Sequence, residues 1–243
     1  VESAVNDSRV KAIVLRVDSP GGDALASDII AEALRKGMGK KPVIISQGGV
    51  AASGGYWLSM YSDAIVAAPN TVTGSIGVIG GWYYNKGLKE DLGMTTDLVK
   101  RGASSDLGFG MTLPLIGLSL PDRNLTIAER QKAEVIMKTL YKDFINKVSA
   151  GRNMSFDKVA EIAEGRVWSG TDGKRIGLVD EIGGLETAIN IAKEKAGLKG
   201  GDIITQIGEK KIGDIYDYTY TLSDHSPGDK VELRFLRDGK LHV

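Results

Sequence analysis

The chain has no cysteine among its 243 residues. Disulfides, thiolate catalysis and cysteine metal sites are excluded, while any compartment stays open. Histidine is scarce. The two that occur, His225 and His242, lie near the C-terminus and read as solvated surface residues. A Ser-His-Asp triad inside the main domain has no histidine to use. No run of about 20 apolar residues exists, so no stretch has the length of a transmembrane helix. Net charge is lacking as well, since 31 Lys plus Arg balance 31 Asp plus Glu. That balance gives no reason to bind nucleic acid or an anionic surface. The chain opens at Val1 without an initiator methionine or signal peptide, and helix-like residues lead straight into a strand. It reads as a piece of a longer precursor.

What is present is a globular composition, 42% hydrophobic and 26% charged, on a chain long enough for one sizeable core plus a small appendage. The stretch Gly48-Gly49-Val50-Ala51-Ala52-Ser53-Gly54-Gly55-Tyr56 organises it. A buried-type strand, Pro42 to Ser46, enters, and a helix over Tyr56 to Tyr61 leaves. A small hydroxyl thus sits at a strand-to-helix turn, where glycines permit a sharp bend and close substrate approach. Free N–H groups at the helix start face the same spot, the setting of an activated serine with an oxyanion site. The pattern is not the G-x-S-x-G elbow, because Ala51 replaces the first glycine. Such turns also serve packing or phosphate binding, so the stretch alone is ambiguous.

Upstream, Val10 to Val17 is a β-branched run typical of a strand covered on both faces. It ends in Asp18-Ser19-Pro20-Gly21-Gly22-Asp23, a turn signal, and Leu25 to Arg35 reads as an amphipathic helix. A strand at Ala64 to Ala67 follows the Ser53 turn. Strands and helices alternate through short links, which predicts an α/β unit. The turns at Gly22 and Ser53 then share the C-terminal edge of one sheet, where sites form. The N–H groups of Gly22 and Ser53 are the expected carbonyl-oxygen donors.

Asp18 to Gly22, Val50 to Tyr56 and Thr73-Gly74-Ser75-Ile76-Gly77-Val78 resemble three successive signatures of the signal peptide peptidase (protease IV) family. The resemblance continues at Val167 to Gly170 and at Ile176 to Gly184, in the same order, and covers roughly residues 10 to 196. It implies a Clp protease/crotonase-like α/β fold of repeated β-β-α units with a helical C-terminal part. It also implies a membrane-associated bacterial serine protease needing no cofactor or metal. Ser53 would be the nucleophile, the Gly22 and Ser53 amides the oxyanion hole, and Ser75 a hydroxyl orienting a lysine base. That lysine must be neutral to accept a proton, which burial favours.

One position departs from the family. The segment that carries the lysine in short members is here Val99-Lys100-Arg101-Gly102-Ala103-Ser104-Ser105-Asp106, and the base position falls on Ser105. A hydroxyl is a poor base near neutral pH. Double-length members carry the serine in a C-terminal copy of the fold and the lysine in an N-terminal copy. The chain resembles such a C-terminal copy. Three readings stay open: a lysine from elsewhere in the precursor, substitution by Lys100, or a homologue that binds chains without cutting them. Lys100 lies five residues from position 105, an odd offset that faces the other side of an extended strand.

The apolar, glycine-broken stretch Gly108 to Leu120 is a core loop, a groove wall or an oligomer contact. Thr126 and Glu129 form a capping box for a helix running to about Val148, with Ala133, Ile136, Met137, Leu140, Phe144, Ile145 and Val148 on one face. Ser155 caps a shorter helix, and Leu185 to Ala196 is the last helix of the protease-like region. This places the protease domain at 1–196 and a small α+β segment at 197–243. In that tail Gly200-Gly201-Asp202 turns into a strand at Ile203 to Ile207, a helix spans Asp214 to Ser223, and Val231, Leu233 and Phe235 alternate with Glu232 and Arg234 after Pro227-Gly228 and before Asp238-Gly239. It resembles the second half of a bacterial PDZ domain, without the strands that carry the carboxylate-binding loop.

The resemblance implies a serine endopeptidase acting on signal peptides or other membrane-proximal polypeptides through an acyl-enzyme on Ser53. It further implies a homo-oligomer, or a partner copy that supplies the lysine. It places the protein at the extracytoplasmic side of the bacterial cytoplasmic membrane, anchored by a segment outside this sequence. The competing class is a non-catalytic polypeptide-binding or assembly module of the same fold. A crotonase-type acyl-CoA enzyme ranks below both, having no use for a serine at this turn.

Overall fold

The computed structural model describes residues 1–85, 87–113, 118–197, 203–226, 229–237 and 240–243. Its elements begin with α1 (Glu2–Asn6), β1 (Ile13–Ser19), α2 (Ala24–Gly37), β2 (Val43–Ala52), α3 (Gly54–Ser59), β3 (Ala64–Ala67) and β4 (Val72–Gly74). The middle region holds α4 (Leu88–Asp91), β5 (Gly110–Leu113), β6 (Leu118–Pro121), α5 (Ile127–Arg152) and α6 (Phe156–Ile162). Next come β7 (Val167–Ser169), α7 (Gly170–Ile176), β8 (Glu181–Ile182) and α8 (Leu185–Lys195). The tail contains β9 (Ile203–Ile207), β10 (Lys210–Lys211), α9 (Ile215–Ser223), β11 (Leu233–Arg237) and β12 (Lys240–His242). Two compact units result: Val1–Gly74 with Val167–Val243, and Ser75–Arg166.

In the first unit the strands form a sheet in the order β7-β4-β2-β3-β8, with β1 also paired to β2. Pairing of β2 with β1, β3 and β4 is parallel. Parallel strands need both faces covered. On one face Ile44, Ala64 and Val66 pack against Ala188 and Ala192 of α8. The alternate residues Val43, Ile45 and Ile65 are fully buried on the other face, where α3 packs on β1 and β2 and α2 packs on α3. The Asp23 carboxylate caps α2 by accepting from the Ala26 N–H at 2.7 Å. The tail strands form their own sheet in the order β10-β9-β11-β12, antiparallel throughout.

Strand β2 runs through Gly48 and Gly49 as far as Ala52, six residues beyond the expected end at Ser46. At Gly48 close approach requires glycine. A Cβ at Gly48 would lie 2.5 Å from the Asp18 carboxyl carbon. The Asp18 carboxylate also accepts from the Val50 N–H at 3.1 Å, which ties the end of β1 to β2.

In the second unit β5 pairs antiparallel with β6. The apolar stretch over Gly108 to Leu120 is therefore in part a β ladder, and Leu115 and Ile116 lie outside the described residues. Helix α5 starts with the expected capping box between Thr126 and Glu129. Its expected apolar face is only half used. Phe144, Ile145 and Val148 are buried, whereas Ile136 is 60% exposed and Leu140 is exposed as well. Of the tail turns, Gly200-Gly201-Asp202, Pro227-Gly228 and Asp238-Gly239 lie outside the described residues.

Candidate active site

Ser53 stands between the last residue of β2 and the first of α3, with φ 53° and ψ −118°. Positive φ in a residue with a Cβ is costly and persists only where surrounding structure enforces it. Four contacts enforce it here. The Ser53 N–H donates to the Gly74 carbonyl at 2.9 Å, and its carbonyl accepts from the Trp57 N–H at 2.9 Å. A Cβ on Gly54 would lie 2.6 Å from the Ser27 hydroxyl, and one on Gly55 would lie 2.3 Å from the Ser19 carbonyl. Only glycine fits at either place, so α3 begins at Gly54 rather than at Tyr56. Ser53 itself is partly accessible, and among the described residues nothing hydrogen-bonds its hydroxyl.

The Gly21-Gly22 turn abuts this serine. A Cβ on Gly21 would lie 2.7 Å from the Gly54 nitrogen and 2.8 Å from the Ser53 Cβ. A Cβ on Gly54 would lie 3.3 Å from the Gly22 nitrogen. Gly21 and Gly22 have φ of 103° and 146°, the left-handed region open to glycine. The structure thus brings Gly22 to Ser53. The Ser53 N–H is engaged by Gly74, and the amide left at the turn is that of Gly54.

Ser75, Lys100 and Ser105 belong to the second unit. Ser75 also has positive φ, 49°, and its N–H donates to the Arg166 carbonyl at 2.8 Å. The Ser105 hydroxyl is exposed and donates to the Gly102 carbonyl at 3.1 Å. Lys100 ion-pairs with Asp106 at 2.8 Å, which engages its amine with a carboxylate.

Sequence reasoning missed the network around that segment. Arg123 bonds Asp106 through two nitrogens at 2.9 and 2.8 Å, and Glu129 through two at 2.8 and 2.9 Å. Both carboxylates are buried. Hydrogen bonds from Arg123 hold both carboxyls well below the usual carboxylate range, and Glu129 and Asp106 push the guanidinium up in turn. The residue after position 105 is thereby tied to the capped start of α5. A second group was also missed. Lys89, largely buried, ion-pairs with Asp122 at 2.5 Å and also bonds Thr96. Spacing in the sequence gave no signal for either group. Among the described residues no cluster of His, Asp or Glu could hold a metal ion.

Residues 35–199 match peptidase family S49, and residues 187–242 match the PDZ domain. The chain belongs to peptidase family S49. Over 198 residues it is 39% identical to the chloroplastic serine protease SPPA of Arabidopsis thaliana, covering 82% of this chain and 28% of that protein. It is likewise 39% identical to protease 4 of Salmonella typhi over 200 residues, 82% of this chain and 30% of that one. A putative signal peptide peptidase SppA of Enterococcus faecium is 36% identical over 201 residues, 82% of this chain and 55% of that protein. The S49 chain therefore spans less than a third of the first two relatives. Its α/β architecture is the Clp/crotonase-like one of the family, followed by the PDZ-like tail. Among the described residues no helix is long and apolar enough to cross a membrane.

Proposed function

We propose that this chain is a serine endopeptidase whose nucleophile is Ser53 and whose oxyanion donors are the N–H groups of Gly22 and Gly54. The observation that carries the reading is the strained Ser53 turn, packed so closely on Gly21 that a Cβ there would lie 2.7 Å from the Gly54 nitrogen and 2.8 Å from the Ser53 Cβ. As Ser53 Oγ bonds to a substrate carbonyl carbon, its proton passes to a neutral lysine amine. The carbonyl electron pair moves onto oxygen, where two preset amides stabilise it. Collapse breaks the C–N bond, and the leaving amine takes the proton. Water then releases the acyl group from Ser53 by the same route.

The lysine comes from outside positions 100–106. Ser105 carries a hydroxyl, and the Lys100 amine faces a carboxylate. A second copy of the chain, or a tandem copy of the fold, supplies it. Ser75 orients that lysine. We take 1–196 as the catalytic domain and 197–243 as an appended PDZ-like segment. The substrates are signal peptides or other membrane-proximal polypeptides, met at the extracytoplasmic side of a bacterial cytoplasmic membrane. The pairing of Lys100 with Asp106 favours a second reading, a module that binds polypeptides without cutting them.

Hydrolysis of an internally quenched apolar peptide decides between the two. The protease reading expects turnover that falls by at least about 10³-fold in Ser53→Ala. Turnover independent of Ser53, or peptide binding without turnover, removes it.

A further inference from the structure

The turn after β1 offers a short choice of amides to the site. Pro20 has no N–H to give. The Gly21 N–H donates to the Ser19 hydroxyl at 3.1 Å. Among the described residues Gly22 is therefore the first after the strand whose N–H has no partner, and its nitrogen is the one set against Gly54. Ser19 is itself fixed. It is the last residue of β1, in register with Ala51, and its carbonyl lies where a Gly55 Cβ would be.

We propose that Ser19 is a positioning residue that selects the Gly22 N–H as an oxyanion donor by occupying the Gly21 N–H. This rests on the protease reading of Ser53. Glycine at position 21 lets the Pro20–Gly21 peptide plane, which carries the Gly21 N–H, rotate at little steric cost. The bond from that N–H to Ser19 removes this freedom at the start of the turn, because rotating the plane would strand a half-buried N–H. Preorganised donors stabilise charge only if they need not reorient as it develops. Ser19 acts through the glycine turn and does not itself touch substrate.

Two readouts on the full chain test this. The first is amide hydrogen exchange followed by NMR. Ser19→Ala is expected to speed exchange at Gly21 by at least about tenfold while the β2 amides are unchanged. The second is peptide hydrolysis. Ser19→Ala is expected to lower kcat by about tenfold with KM within about twofold, and Ser19→Thr, which restores the acceptor, to recover most of it. Unchanged Gly21 exchange in Ser19→Ala overturns the proposal whether or not the chain cuts peptides. A rise in KM with kcat intact overturns it too. Absence of any Ser53-dependent turnover instead removes the protease reading, and the exchange experiment still decides whether Ser19 sets the turn.

Discussion

Ser53 donates its backbone N–H to the carbonyl of Gly74, at 2.9 Å. That bond continues the parallel pairing of β2 with β4 one residue past the last strand pair, Ala52 with Gly74. It also removes Ser53 from the set of free donors. In the proposed mechanism the oxyanion role therefore falls to the next amide along the chain, that of Gly54.

Gly54→Ala follows from this. The added Cβ would lie 2.6 Å from the Ser27 hydroxyl and 3.3 Å from the Gly22 nitrogen, between the two proposed donors. Turnover is expected to fall by about 10²-fold or more, the scale of losing one oxyanion donor. Ser27→Ala alone relieves nothing at Gly22, so Gly54→Ala with Ser27→Ala stays impaired. Steady-state kinetics on the three variants check this, and full recovery in the double variant would show that the Ser27 clash was the whole effect.

Gln47 is 1% exposed, and among the described residues neither its amide nitrogen nor its amide oxygen has a hydrogen-bond partner. Unpaired buried polar groups cost about 1–3 kcal/mol. Gln47→Met keeps the length and removes both groups. It is expected to raise the thermal midpoint by about 2–4 °C, read by circular dichroism. A lowered midpoint would mean that the amide is satisfied in solution.

The Asp106–Arg123–Glu129 network predicts an acid limb of stability. Both carboxyls lie below their ordinary values, 3.8 for Asp and 4.5 for Glu. A depressed folded value gives stability that is fully present above the unfolded value and is lost as pH falls through the folded one. Thermal midpoints are therefore expected to hold above about pH 5 and to fall progressively below the 3.8 to 4.5 window. Arg123→Ala leaves two buried carboxylates without their guanidinium, and so lowers the midpoint at neutral pH and flattens the acid limb. Parallel pH–melting series on both proteins test it, and identical acid limbs would contradict it.

Position 105 gives a gain-of-function test. Its neighbour Asp106 is clamped to the start of α5, so a lysine placed there inherits an ordered backbone. Ser105→Lys is expected to speed Ser53-dependent turnover by at least about 10²-fold, the usual scale of a positioned base. Unchanged turnover with intact folding would show that a lysine at position 105 does not take the Ser53 proton.

Much of the fold was legible from local pattern. The strand Ala64–Ala67 and the Thr126–Glu129 capping box occur where a short apolar run and cap chemistry place them. The Ser53 turn was legible as a motif. What pattern hides is distance. Gly48 and Gly49 read as part of the strand-to-helix turn, yet both are strand residues, and at Gly48 the approach of Asp18 leaves no room for a Cβ. Gly54 and Gly55 read as turn residues ahead of a helix at Tyr56, yet they open α3, where Ser27 and Ser19 leave no room for a Cβ. Ile136 and Leu140 share a stripe with Phe144, but periodicity cannot tell whether anything covers it. The Arg123 network joins charges up to 17 residues apart with no repeating spacing.

Labelling with a fluorophosphonate reads out directly whether Ser53 is an activated nucleophile. One label per chain is expected, located on Ser53 by peptide mass mapping, absent from Ser53→Ala and faster in Ser105→Lys. Equal labelling of the wild type and Ser53→Ala would contradict it, as would no labelling of Ser53 in either the wild type or Ser105→Lys.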